Sequence, residues 1–168
     1  RKFKKSVRKT AAHSTLVLNN ESAGKIVKDG WLAKTLGDVV TFGVGPVTVS
    51  RKEQDSGTWV EVSHGGYRKK IGLLHKRRVY MSIEGDDVRG EDTLLVPLGA
   101  VPLSNNEKPY DIRFHFHPDV RVSLSQDQKS ALLIQAGKTG WRFRTDHGPI
   151  KIENSLYLGT GSTPRKCQ

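Results

Sequence analysis

Apolar and polar positions alternate in short runs along most of this chain, and turn-forming residues interrupt the runs at close intervals. The clearest run is "GWRFRTD", in which Trp141 and Phe143 fall on one side of an extended backbone and Arg142 and Arg144 on the other. Successive strand side chains point to opposite faces, so this run predicts a strand with one apolar and one basic face. "STLVLN", "VTVSRKE", "TWVEVSHGG", "HKRRVYMSIEG", "DTLLVPLG", "YDIRFHFHP", "VRVSLS", "SALLIQA" and "IKIENSLYLG" read as further strands. Between them lie "NNESAG", "DSG", "EGDD", "SQDQKS", "AGKTG" and "TDHGP", each carrying two or more turn-forming residues.

Short strands separated by tight turns predict an all-β fold, an antiparallel β-sandwich of two stacked sheets with no substantial helix. "AGKIVKDGWLAKTLG" has room for a helical turn, but glycines interrupt it. The expected organisation is a basic N-terminal arm over 1–12 followed by a β-sandwich domain over 13–168. A possible two-lobe seam runs along "VPLGAVPLSNNEKP", Val96 to Pro109, where prolines and polar turn residues accumulate.

Composition and charge refine this picture. A chain of 168 residues can bury a real core. No stretch is long and apolar enough for a membrane span, so membrane insertion is not expected. The formal charge is +11, from 28 Lys and Arg against 17 Asp and Glu. Such a surface attracts polyanions: nucleic acids, acidic polysaccharides or anionic membranes. Part of the excess sits in "RKFKKSVRK", and the remainder of the chain is only modestly basic. Cys167 is the only cysteine, so no intrachain disulfide forms and the redox compartment is not assigned. The chain opens on Arg1 with no signal-peptide pattern, which reads as a piece of a longer protein.

Three stretches could carry chemistry. In "RFHFHPDV" a strand would put His115 and His117 on one face with Arg113, and Phe114 and Phe116 on the other, in the core. Zinc usually takes three or four converging ligands, and only Asp119 lies nearby. The residues therefore favour the polar side of a half-buried strand over a metal site. In "AAHSTLVLNN", His13 precedes an apolar strand, and its neighbour Ser14 is no evidence of a nucleophile–base pair. In "HGGYRKKIGLLHKRRVY", Tyr67 could donate a proton, and guanidinium groups can grip carboxylates or sulfates through two parallel hydrogen bonds. Gly65 and Gly66 permit a sharp turn or the close approach of a ligand. The alternative is a solvated basic hairpin. Phosphate-binding loops, dinucleotide fingerprints, paired cysteines, zinc-protease helices and nucleophile elbows are all missing from the sequence.

Taken in order, "TAAHSTLVLN", "WVEVSHGGY", "GLLHKRRVYMSIEGDDVRGED" and "IRFHFHPDVRVSLSQDQKSALLI" with "GWRFRTD" resemble the C-terminal β-sheet portion of heparinase II/III-like proteins. The resemblance covers nearly the whole chain after the basic arm. It implies stacked β-sheets of supersandwich type, preceded by an N-terminal α/α toroid of the same chain. It also implies β-elimination on uronic-acid-containing glycans such as heparin, heparan sulfate or alginate, with a periplasmic or cell-envelope location. In that scheme a base removes the C5 proton while the carboxylate is neutralised, and a Tyr or His assists the leaving oxygen.

Carried over residue by residue, His13 in "AHSTL" matches the first residue of the family's His-Asn-Thr strand motif, with Ser14 in place of Asn. In zinc-containing relatives that His is a metal ligand beside an upstream His and Asp. Here both would precede Arg1, so zinc is expected in the full-length protein and not tightly held by this piece. Tyr67, Arg68, His75 and Arg77 are the candidate substrate-binding residues, acidic polysaccharide the candidate partner, and the catalytic residues are not assigned. Without the toroid the isolated chain is expected to be inactive. Two other readings stay open: a non-catalytic carbohydrate-binding or structural sandwich, and a basic nucleic-acid-binding β-module favoured by charge alone.

Overall fold

The structure, a computed structural model, describes residues 7–26, 40–100, 108–157, 159 and 164–168. Its described elements are antiparallel strands with one single-turn helix and one 3-10 turn, the all-β sandwich class that the alternation predicts. The chain divides into two compact units, Arg1–Arg113 and Phe114–Gln168.

In the first unit a four-stranded sheet has the order β4-β5-β6-β7, formed by β4 (Val47–Gln54), β5 (Gly57–His64), β6 (Leu74–Ser82) and β7 (Val88–Leu95). A two-residue turn joins β4 to β5, and its exit residue must be glycine. Gly57 has φ +152°, and a Cβ there would lie 2.3 Å from the Met81 carbonyl oxygen. The β6–β7 turn is closed by Ser82, whose hydroxyl donates to Asp86 Oδ1 at 2.8 Å and accepts from the Asp86 and Asp87 amides. The described residues of the unit also form two ribbons: β1 (Leu16–Leu18) with β8 (Tyr110–Ile112), and β2 (Lys25–Ile26) with β3 (Val40–Phe42). The helical turn weighed over Ala23 to Gly37 gives way to β2 at Lys25–Ile26, and 27–39 lies outside the described residues.

The core of this unit gathers Leu16, Leu18, Ala23, Tyr67 and Ile71, with Val44, Leu73 and Leu94 packed around it. Tyr67 and Ile71 reach it from the β5–β6 connection, where the sequence reads as a basic hairpin. There the chain makes a one-turn helix, α1 (Arg68–Ile71), ended by Gly72 at φ +82°. Glycine takes that left-handed conformation without the steric cost of a Cβ.

The second unit holds the sheet β11-β10-β9, made of β9 (Val120–Leu124), β10 (Ser130–Gln135) and β11 (Trp141–Arg144), and the hairpin β12 (Ser155–Tyr157) with β13 (Arg165–Cys167). The strand expected through "RFHFHP" ends at Ile112, and residues 113–117 belong to no strand. Phe114 is 42% exposed and meets Phe143 edge-on at 5.1 Å, so it lies at the margin of the core. Phe116 is half-buried and donates its amide to the Gln168 carbonyl at 2.9 Å. Alternation identified the face of each side chain but not its depth, because no neighbouring strand continues the ladder here.

Candidate functional site

Pairing of β5 with β6 sets His64 opposite His75 and Trp59 opposite Tyr80. These pairs fall on opposite faces of the four-stranded sheet, since their positions differ by an odd number of residues. One face carries a buried polar relay and the other an open aromatic–cationic surface.

The relay starts at a backbone amide. Gly66 N–H donates to His64 Nδ1 at 3.1 Å, which leaves the proton of a neutral His64 on Nε2. That nitrogen lies 3.1 Å from His75 Nδ1, so His64 donates and His75 accepts. His75 then carries its own proton on Nε2, which donates to Asp92 Oδ1 at 2.6 Å. Arg77 grips Asp92 with two hydrogen bonds of 2.8 Å, from Nε to Oδ1 and from Nη2 to Oδ2. It also donates from Nη1 to the Ser14 carbonyl at 2.5 Å, tying β6 to the segment just before β1. His75 and the Asp92 side chain are 3% and 6% exposed, so an unmet hydrogen bond there would be costly.

Charge follows this wiring. Burial pushes the His64 imidazole below its usual range, and the neighbouring His75 adds to the effect. Burial works against ionisation of Asp92, but the hydrogen bonds from His75 and Arg77 outweigh it and hold the carboxyl below its ordinary value. His64 is thus held in its neutral form, and Asp92 stays ionised against Arg77.

Tyr67 stands beside the relay, its ring 6.2 Å from that of His64. Its hydroxyl donates to the Leu16 carbonyl at 3.0 Å and accepts from the Leu18 amide at 3.4 Å. It is fully buried, and burial pushes its phenol upward. Gly66 packs against Ala23, and a Cβ there would lie 2.7 Å from the Ala23 Cβ and 3.1 Å from His64 Nδ1. The close approach that Gly65 and Gly66 permit is therefore used by the protein's own chain.

The candidate residues thus separate. Tyr67, His75 and Arg77 come together: Tyr67 and Arg77 tie β1 and the segment before it to the sheet, and His75 links β5 to β7 within it. Arg68 lies exposed on α1, outside the relay. His13 is exposed just after the 3-10 turn Thr10–Ala12. Among the described residues no group of three His, Cys, Asp or Glu side chains is placed to hold a metal ion, and His13 by itself brings one ligand of the three or four that zinc takes. His115 and His117 both turn to β12: His115 Nδ1 lies 3.2 Å from the Ser155 hydroxyl, and His117 stacks edge-on against Tyr157 at 4.9 Å.

The opposite face was not singled out by the sequence. Trp59 and Tyr80 sit side by side with ring centres 5.0 Å apart. The Arg78 guanidinium lies 4.6 Å from the Trp59 ring centre, and that of Arg89 5.7 Å from the Tyr80 ring centre. Ser50, Lys52, Gln54, Trp59, Glu61 and Arg78 line a shallow open cavity of about 210 Å³. Glu61 contacts Lys76 and Arg78 only at 3.5 and 3.6 Å, loose pairs that leave donors for a ligand. The available signal was the hairpin itself: folding "TWVEV" back on "RRVYM" about their connection pairs Trp59 with Tyr80.

Comparison with known proteins agrees with this architecture. Residues 2–168 match the family described as "Heparinase II/III-like, C-terminal". The chain is 34% identical over 154 residues to FtsZ-localized protein C of Caulobacter vibrioides, a match spanning 89% of this chain and 26% of that protein. No solved structure matches. With the family match running over nearly every residue, the chain belongs to the heparinase II/III-like C-terminal domain family.

Proposed function

We propose that this domain is the acidic-glycan-contacting β-module of a heparinase II/III-like protein, with Trp59, Tyr80, Arg78, Lys52 and Arg89 as the contact surface. The observation that carries the reading is the aromatic pair under two guanidiniums beside an open, polar-lined cavity. A pyranose ring has an apolar C–H face that packs on an indole, while its carboxylate or sulfate takes hydrogen bonds from Arg and Lys. The relay holds the sheet from the other side, and Tyr67 and His75 serve binding through it.

In the longer protein the same reading extends to cleavage of uronic-acid-containing chains by β-elimination, with the reacting groups contributed from beyond this domain. His13 would be one ligand of any zinc held there. Elemental analysis of the longer protein should show zinc reduced on His13→Ala. The reading is tested by isothermal titration of this chain with heparin, heparan sulfate and alginate oligosaccharides. Binding lost in Trp59→Ala and Arg78→Gln, with the fold intact by circular dichroism, is the expected result. Equal binding by the wild type and both variants would remove the surface from the proposal.

The similarity to FtsZ-localized protein C favours a second reading, in which the domain takes part in localisation with FtsZ. Co-sedimentation with FtsZ polymers tests it, and recovery of the chain in the supernatant alone would dismiss it.

A further inference from the structure

The three-stranded sheet of the second unit has one face that the glycan reading does not use. Along β10, Leu132 and Ile134 point to this face and are 44% and 42% exposed. Arg142 lies opposite Leu132, Arg144 opposite Ser130, and Arg121 opposite Ile134 on the other side. An aliphatic strip is thereby bordered by arginines on both flanking strands, roughly 10 Å apart across β10. All three arginines are exposed, and none has a hydrogen-bonded or ion-paired partner among the described residues. Arg142 feels the exposed Asp127 only at longer range. The unit as a whole carries eight Lys and Arg against four Asp and Glu.

We infer that this face docks an acidic peptide segment that also carries aliphatic residues, supplied by a partner protein. Charge complementarity fixes the sign: guanidiniums on both sides call for carboxylates on both sides of the occupant. The aliphatic strip fixes the rest. Protein interfaces combine an apolar centre with a polar rim and favour arginine, and this face has that plan at the scale of one short segment. Single-stranded nucleic acid is bound through aromatic stacking, and this face presents no aromatic ring. The C–H face of a sugar packs on a flat aromatic ring, which Leu132 and Ile134 do not offer. An anionic membrane matches the charge, so the experiment separates it.

The test uses the whole chain and a fluorescein-labelled synthetic peptide of mixed Asp, Glu and Leu, followed by anisotropy. Arg121→Gln, Arg142→Gln and Arg144→Gln should each weaken binding about threefold, and the triple variant on the order of 30-fold. Leu132→Ser should weaken it while leaving the charge unchanged, and the exposed Lys151→Gln should not. An all-Glu peptide should bind more weakly than the mixed one. Two results would overturn the inference: equal binding of the all-Glu and mixed peptides, or arginine variants that lose binding to phosphatidylglycerol vesicles or heparin but keep it for the peptide.

Discussion

His75 accepts from one neighbour and donates to another, so its loss is felt on both sides. Substituting it by Ala leaves His64 Nε2–H without its acceptor and takes from Asp92 Oδ1 one of its two donors, in a site with little access to water. His75→Ala should cost about 3 kcal/mol in urea unfolding. Gly66→Ala should destabilise by about 2 kcal/mol, because the new Cβ must displace Ala23 and the His64 ring together. The titration of the relay has one sign throughout. His64 titrates below its unfolded value of 6.5 in the fold, so its contribution is fully present above that pH and is lost as pH falls through its lowered folded value. Asp92, lowered from 3.8, adds a second loss at more acidic pH as it is protonated through its own folded value. The contribution of His64 and Asp92 should therefore be flat above pH 7 and decline in two stages on acidification. A His64→Gln variant that kept the first decline would contradict this assignment.

At the level of elements, β6 is read twice. Its odd and even positions serve different faces, so neighbouring Arg77 and Arg78 do unrelated work: one clamps Asp92, the other covers Trp59. Arg77→Lys keeps the charge but gives up the fork that meets both carboxylate oxygens, and should destabilise the domain. Arg78→Lys should leave unfolding nearly unchanged and weaken glycan binding. Denaturation and titration of the same two variants measure the split. The strand pattern itself was legible: β1, β4, β5, β6, β9, β10 and β11 lie where alternation put them. "RFHFHP" alternates equally well and is not a strand, because alternation records which side a residue faces, whereas a strand needs a partner to hydrogen-bond.

On the scale of the whole molecule, basic charge is unevenly spread. Beyond the opening "RKFKKSVRK", the residues through Arg113 are close to neutral, with 14 Lys and Arg against 13 Asp and Glu. The unit from Phe114 onward carries the remaining surplus. Heparin binding by the chain should therefore weaken steeply with salt, since each released phosphate- or sulfate-bound counterion adds to the dependence. Removing Arg1–Lys9 should lower the slope of log affinity against log salt without abolishing the Trp59-dependent component. On the proposed lyase reading, a longer protein carrying this domain should release product with the ultraviolet absorbance of an unsaturated uronate when incubated with acidic glycans, whereas this chain alone should release none.

The sequence by itself determined the all-β class, the positions of most strands and turns, the sign of the charge and the family, because these depend on local alternation, turn chemistry and ordered short motifs. It also marked Tyr67, Arg68, His75 and Arg77 as candidate binding residues. Only the tertiary structure decided which neighbours each of them meets. Whether a histidine faces a ligand or another histidine depends on which strand lies across from it, and that register joins residues distant in sequence: His64 to His75, His75 to Asp92, Arg77 to Ser14. The same pairing brought Trp59 beside Tyr80 and left Arg121, Arg142 and Arg144 around an exposed aliphatic strip. A one-dimensional pattern fixes the side on which each residue stands, and the fold supplies its neighbours.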